Sequence, residues 1–487
     1  MKHQHPIKIM KLTVKNFWLL IIPLVRGLIN LKFDFKHWIE GAYLDMIVLV
    51  LILLFAFVRW WFQWYEIKES SIRYKGGIFL RYEYDIPFSV ISAVTAQFSF
   101  FYRPIKAVNV FIETDSLFGG KNEKSADMKM ILSKKETEQL LLKLPSDKRK
   151  RSFSFYPKKS HLIVFSFLFS STLSGVIFIS TFLIQNGRIF DRSVEQEIIN
   201  LVGDITKKIA VAVPPAAMGV SVLIIAGWLF SFISNLLRHI GFTISRRGKD
   251  ITIKNGFFTK LVYYINADKV NFADFRQNLL MKLFGIKSVQ VSCSGYGKRK
   301  QEIPVFVPIT TESEAASSLR DMLPRFTAAE NDLESPIVSL FIYLRGGIFA
   351  LLGTIIFNAA GLLFFTQFWE FVQFAVIMLM IPSAWLLIVE CVSFLTSGAG
   401  FDGGCLTLRY SKGLKFHTVV IPDCRIAKFE IRQTIFQVYN GTCDLIVRTY
   451  SESSGVHKVR YLPYDETKKF LSEHTGLYHN INGFEDM

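Results

Sequence analysis

ITIKNGFFTKLVYYINADKVNFADFRQNLLMKLFGIKSVQVSCSG, Ile251 to Gly295, decides how this chain is read. Apolar residues alternate from Ile251, Asn255-Gly256 marks a turn, and further short strands follow. Gly285 then turns the chain into a last strand, Ser288 to Cys293. The chain carries the pattern three times. Ile251, Gly256, Phe258, Tyr263, Ile265 and Val289 lie 179 residues after Ile72, Gly77, Phe79, Tyr84, Ile86 and Val110. Ile265, Arg276, Gln277 and Gly285 lie 156 residues before Ile421, Arg432, Gln433 and Gly441. Neither comparison needs a gap, and an Arg-Gln pair followed by a Gly at fixed distance is a demanding coincidence. A period this long makes each copy a small domain rather than a solenoid unit.

The 487 residues allow about three domains at roughly 150 residues each. At 51% hydrophobic and 15% aromatic, with long uncharged runs, the composition excludes an ordinary soluble protein. Apolar runs of about 18 or more residues read as membrane spans, since roughly 20 residues of helix cross the hydrocarbon core. The formal charge of +17 fits that reading. Lys and Arg cluster beside the apolar runs, where they hold a segment on the cytoplasmic side and attract anionic lipid. Membrane lipid of the inner leaflet is the expected partner; nucleic acid is not. Cys293, Cys391, Cys405, Cys424 and Cys443 lack both Cys-x-x-Cys pairing and a His at ligand spacing, which suits reduced thiols acting as small buried hydrophobes.

Met1 to Lys15 is polar, with Lys2, Lys8, Lys11 and Lys15, and His3 and His5 sit near a terminus expected to be flexible. The apolar runs Asn16 to Leu31 and Ala42 to Trp64 form a hairpin within 1–66, closed by the aromatic belt Arg59-Trp60-Trp61-Phe62-Gln63-Trp64. A strand-rich copy follows at 67–147, ending with the capping-box sequence Ser133-Lys134-Lys135-Glu136. The runs Leu162 to Ile184 and Ile209 to Leu237 make a second hairpin within 160–240, before a copy at 241–326. Pro336 to Phe365 and Phe371 to Phe394 make a third within 336–396, before a copy at 401–475. The expectation is an integral membrane α+β protein with six transmembrane helices in three hairpins, each followed by a small strand-rich domain with a C-terminal helix. Two spans per unit return the chain to the side it left. Positive charge at the N-terminus, at Lys148 to Lys159 and at Arg238 to Lys249 places that side, with both termini, in the cytoplasm.

Phe275-Arg276-Gln277, Leu283-Phe284-Gly285 and the strand Ser288 to Cys293 resemble the bacterial pleckstrin-homology-like domain of the YdbS/YdbT membrane proteins. The third copy keeps Ile421-Pro422, Arg432-Gln433 and Gly441. The first keeps Arg81, Ile86-Pro87 and Ile91, but has Lys106 in place of Gly and Phe98 after Gln97. The three-unit layout is similar to the longer, YdbT-like members. The resemblance implies small, strongly bent β-sheets or barrels, each capped by a helix. It brings no catalytic motif, so no enzyme and no cofactor are expected. It also implies a scaffold of the cell membrane, a role in envelope stress or antimicrobial tolerance, and a hetero-complex with a shorter one-domain relative.

No P-loop, His-Glu-x-x-His or nucleophile elbow appears, and Gly119-Gly120-Lys121 lacks the following Ser or Thr of a phosphate loop. Arg276-Gln277 and Arg432-Gln433 are the recurrent polar pair. They line an interaction groove for a peptide, a lipid headgroup or another copy, or else they hold a turn or strand edge in place. Arg345 lies about 12 Å into the fifth apolar run, and Glu390 reaches a similar depth in the sixth. The two form a candidate intramembrane ion pair. A scaffold binding protein or inner-leaflet lipid is the leading reading. A transporter or export component is the alternative, and it would need polar residues lining several spans.

Overall fold

The computed structural model describes residues 1–16, 35–114, 128–144, 152–168, 215–293, 305–311, 321–364, 369–450 and 455–474. The chain divides into two compact units. One comprises 1–154, 245–269 and 294–302; the other comprises 155–244, 270–293 and 303–487.

In the first unit α1 (Ile7–Asn16) packs beside α2 (Phe35–Trp61). Strands β1 (Lys2–His3), β2 (Trp64–Ile67), β3 (Ser71–Gly76) and β4 (Tyr82–Pro87) form one sheet in that order. The N-terminus is therefore not the flexible tail expected. Lys2 pairs with Tyr65, and the His3 ring packs 3.6 Å from the Trp64 ring. A second sheet joins two groups of strands. β5 (Ile91–Phe98), β6 (Ala107–Thr114) and β7 (Met128–Ser133) make one group. β8 (Ser152–Phe155), β9 (Thr243–Arg247), β10 (Asp250–Asn255) and β11 (Lys260–Asn266) make the other. They meet edge to edge through β5 and β11, so one seven-stranded sheet runs β7-β6-β5-β11-β10-β9-β8. Helix α3 (Lys134–Lys143) starts at a complete Ser133/Glu136 capping box and buries Leu140. The core holds Ile72, Ile86, Val110, Met130 and Leu140, each contributing about 1.5–3 kcal/mol by leaving water.

The second unit repeats the arrangement. Helices α4 (Lys159–Leu168) and α5 (Pro215–His239) precede β12 (Val270–Asn278), the short α6 (Leu279–Leu283), β13 (Ile286–Cys293) and β14 (Val305–Thr311). After β15 (Leu333–Glu334) come α7 (Leu340–Phe364) and α8 (Trp369–Thr396), then β16 (Gly398–Asp402), β17 (Cys405–Lys412) and β18 (Lys415–Pro422). These form a seven-stranded sheet, β14-β13-β12-β18-β17-β16-β15, joined through β12 and β18. The chain ends in β19 (Ile426–Arg432), the short α9 (Ile435–Tyr439), β20 (Thr442–Thr449), β21 (Val456–Pro463) and α10 (Tyr464–His474). The last three strands form their own sheet, with β19 at its edge.

Two local devices recur. A one-turn 3-10 corner separates β4 from β5, β11 from β12 and β18 from β19, at Phe88–Val90, Ala267–Lys269 and Asp423–Arg425. A register shift follows each corner, at Ile91/Ala93, Val270/Phe272 and Ile426/Lys428. Corner and bulge together turn the chain out of one sheet and into the next. Gly77 and Gly256 hold φ of +103° and +96° in matching turns, where a Cβ would collide with the carbonyl oxygens of Leu80 and Thr259.

The expected fold class needs correction on two points. Two helices among the described residues, rather than six, are long and apolar enough to cross a membrane: Ile337–Phe364 and Ala375–Thr396. In α2 the apolar stretch among the described residues is the shorter Met46–Trp61. The expected runs at 16–31 and 162–184 fall mostly outside the described residues. Nor does each β segment close on itself, because large antiparallel sheets extend from one segment into the next through β5–β11 and β12–β18. The α7–α8 pair packs through small residues: Gly347, Thr354 and Gly361 are buried, and a Cβ on Gly347 would lie 2.7 Å from Leu387 Cα. Outside that seam Phe349, Ile355, Ile356, Leu363, Ile377 and Ile381 stand exposed.

Candidate functional site

Helix α1 lays a cationic face against β6 and β7. Gln4 anchors it: its backbone oxygen accepts from Trp60 Nε1 at 2.8 Å, and its side-chain oxygen accepts from Ile131 N–H at 3.1 Å and Lys8 Nζ at 2.7 Å. Lys11 Nζ donates to Asn109 Oδ1 at 3.1 Å. Lys129 lies over the Phe111 ring, and Lys8 lies 6.0 Å from the Tyr74 ring centre. Burial, then the charges of Arg59, Lys11 and Lys129, pushes Lys8 down to about 7. Burial and Lys129 push Lys11 down to about 8. Both ammonium groups are held by neutral amide oxygens, and every charge acting on them is positive. Such a cluster favours an anion, since one negative group would relieve both desolvation and repulsion.

An apolar groove of about 570 Å³ lies along α2, lined by Val48, Leu51, Phe55 and Val58, with Asn16 from the end of α1 and Phe79 from the β3–β4 turn. Arg59 follows Val58 in the sequence of α2, and Asn16 ends the helix that carries Lys8 and Lys11. In the sequence Lys8 and Lys11 read only as part of a polar, positively charged N-terminus. Their spacing of three, which puts them on one helical face, was the available signal.

The anticipated groove residues are bonded within their own copies. Gln277 Nε2 donates to Ile286 O at 2.9 Å, and Gln433 Nε2 donates to Thr442 O at 2.8 Å, each spanning the short helix between two strands. Arg276 Nε bonds Asp274 Oδ2, and Arg432 bonds Glu430, both at 2.5 Å and both two residues back along the same strand. The structure therefore brings Arg and acid together within each strand, and both glutamines are engaged with backbone. The expected Arg345–Glu390 ion pair does not form among the described residues. Glu390 Oε2 accepts from Gly347 N–H at 2.7 Å, and Arg345 is exposed. Gly119-Gly120-Lys121 lies outside the described residues.

A buried polar network crosses the β12–β18 junction. Asp274 accepts from Arg276 and from His417 Nδ1 at 3.0 Å; Tyr410 stacks on His417, and its hydroxyl lies 3.0 Å from His457 Nδ1. Among the described residues no group of three or more His, Cys, Asp or Glu is placed to hold a metal ion.

The model of the bacterial PH domain matches residues 19–147 and 200–323. The chain is also similar to the transmembrane protein YdbT of Bacillus subtilis (strain 168), with 28% identity over 145 residues. That match covers 28% of this chain and 29% of YdbT. No solved structure matches.

Proposed function

The chain belongs to the bacterial PH domain family, and from that premise we propose that it is a non-enzymatic, membrane-bound scaffold that captures an anionic phospholipid. The phosphate sits among Lys8, Lys11, Lys129 and Arg59, and one acyl chain lies in the groove along α2. The observation that carries this is the pair of half-buried lysines with neutral partners, in the same unit as an apolar groove. Membrane anchoring is supported by α7 and α8, whose exposed apolar faces would be costly in water, and by the similarity to the transmembrane protein YdbT. On the same reading the recurrences at 179 and 156 residues are three copies of the domain, and both termini face the cytoplasm. A complex with a shorter one-domain relative belongs to the proposal and is checked by co-purification.

The test is the lipid retained by the full chain purified from membranes in mild detergent, measured by mass spectrometry. At about 1 kcal/mol per cation, Lys8→Ala with Lys11→Ala lowers retention of anionic phospholipid about thirtyfold. Zwitterionic lipid is unaffected. Equal anionic lipid on both proteins overturns the proposal.

A further inference from the structure

Eight strands end the four sheets among the described residues, and of these β4 and β19 are the two that flank a 3-10 corner leading from one sheet to the next. They are of complementary kinds. β4 precedes a 3-10 corner, as β11 and β18 do, and β19 follows one, as β5 and β12 do. At both internal junctions a strand of the first kind pairs with a strand of the second. The register is the same. Thr95 faces Tyr263 at one junction, and Asp274 faces Val419 at the other, positions that differ by 179 and 156 residues. The same offsets lead from Tyr263 to Tyr84 on β4 and from Asp274 to Glu430 on β19.

We propose that a second copy of this chain docks here by strand addition. β19 of one copy pairs antiparallel with β4 of the next, Tyr84 opposite Glu430 and Tyr82 opposite Arg432. The inference goes beyond lipid capture and does not depend on it.

The side chains at the two edges carry the chemistry of a finished junction. At the β12–β18 junction His417 stands opposite Arg276 and donates to Asp274. Glu430 and Arg432 hold the corresponding places on β19, bonded to each other. Tyr82 stands where His417 would, offering a phenol to the Glu430 carboxylate and a ring to Arg432.

Apolar turns point to the same occupant. At the β5–β11 junction Phe100 from one turn meets Phe258 from the other, ring centres 6.4 Å apart, and Arg103 bonds Phe257 O at 2.8 Å. Phe100 and Phe258 are 55% and 54% exposed there. The matching residues at the free edges are Ile435 and Phe79, left 88% and 96% exposed. Docking sets Phe79 against Ile435 and leaves each no more exposed than its counterpart. The contact joins two different surfaces, so it is head to tail and builds rings or open rows rather than twofold dimers.

Disulfide capture tests register and partner together. Directly opposed residues alternate between hydrogen-bonded and non-hydrogen-bonded pairs, and their Cβ separation suits a disulfide. Two double variants are used, Tyr82→Cys with Arg432→Cys and Glu83→Cys with Ile431→Cys, each also carrying Cys391→Ser and Cys424→Ser. Mild oxidation in membranes is expected to give a ladder of dimers and higher species from at least one of them. Tyr82→Cys chains mixed with Arg432→Cys chains then stop at dimers. Glu83→Pro, which removes an N–H on the free edge of β4, lowers the sedimenting mass to that of one chain with the thermal midpoint kept. The proposal is overturned if neither double variant cross-links and the unmodified chain sediments as a monomer. It is equally overturned if the cross-link closes within one chain. It also fails if Phe79→Ser with Phe436→Ser abolishes vesicle binding while the unmodified chain stays monomeric, which would assign the exposed turns to lipid.

Discussion

His417 on β18 holds its Nδ1 3.0 Å from Asp274 Oδ2 on β12, so the strands of the junction share a buried charge as well as backbone hydrogen bonds. Burial alone would raise the Asp274 carboxyl, but the His417 hydrogen bond and the Arg276 guanidinium hold it below the usual carboxylate range. Asp274→Asn leaves Arg276 and His417 without their charge partner. The expected cost is about 3 kcal/mol, read as a drop in denaturation midpoint at neutral pH.

The same network sets an acid limit. Burial pushes His457 down to about 4, so the unfolded chain binds its proton more readily from about pH 6.5 to 4. Asp274, also lowered, adds to the loss at still lower pH. Stability is full above about pH 6.5 and falls as acid is added, because both groups take up protons on unfolding. Thermal midpoints measured in detergent from pH 7.5 to 4.5 should decline, and His457→Phe should flatten the upper part of that decline.

Lys106 occupies a left-handed turn at φ +56°, the place held by Gly285 and Gly441 at +62°. A side chain there is strained by about 1 kcal/mol. Lys106→Gly should raise the unfolding midpoint, and Gly441→Ala should lower it by a similar free energy, both read by calorimetry.

Gln277→Ala and Gln433→Ala each remove one bond to a backbone oxygen, at Ile286 and Thr442. Each should cost about 1 kcal/mol, somewhat more where the carbonyl stays dry. Lipid retention should be unchanged, which separates these residues from Lys8 and Lys11.

Lipid capture should itself depend on pH. Lys8, lowered to about 7, and Lys11, lowered to about 8, lose protons as pH rises, and the neutral amines no longer attract phosphate. Anionic lipid retention should fall between pH 6.5 and 9, while Lys8→Arg, which stays charged, should remove most of that dependence.

Much of the fold could be read from residue spacing. The turns at Gly77 and Gly256, the Ser133/Glu136 cap, and the offsets linking Arg276 to Arg432 all correspond to matching geometry. These are local features, and local conformation is written in residue type and spacing. Strand partners were not readable, because β5 and β11 meet through backbone groups that every residue carries. Of the six expected spans, the two that are long and apolar enough among the described residues are those free of charge over most of their length, Ile337–Phe364 and Ala375–Thr396. Arg345 and Glu390 matched in depth, but depth along two helices does not say which way a side chain turns. Gly347, with no side chain of its own, left its N–H open to the carboxylate. Lys8 looked like any N-terminal lysine, since nothing in ten residues of polar sequence reveals that Tyr74 and Asn109 will bury that face.

The shared register of the two junctions bears on how such chains change length in evolution. A segment running from one 3-10 corner to the next begins and ends with strands that accept the same partners in the same alignment. Deleting or duplicating one whole segment would close the sheets again with every cross-strand pair in place. A break elsewhere would strand half a sheet. Selection can therefore lengthen or shorten the array in whole steps, and the bulges after Ile91, Val270 and Ile426 keep each step in phase.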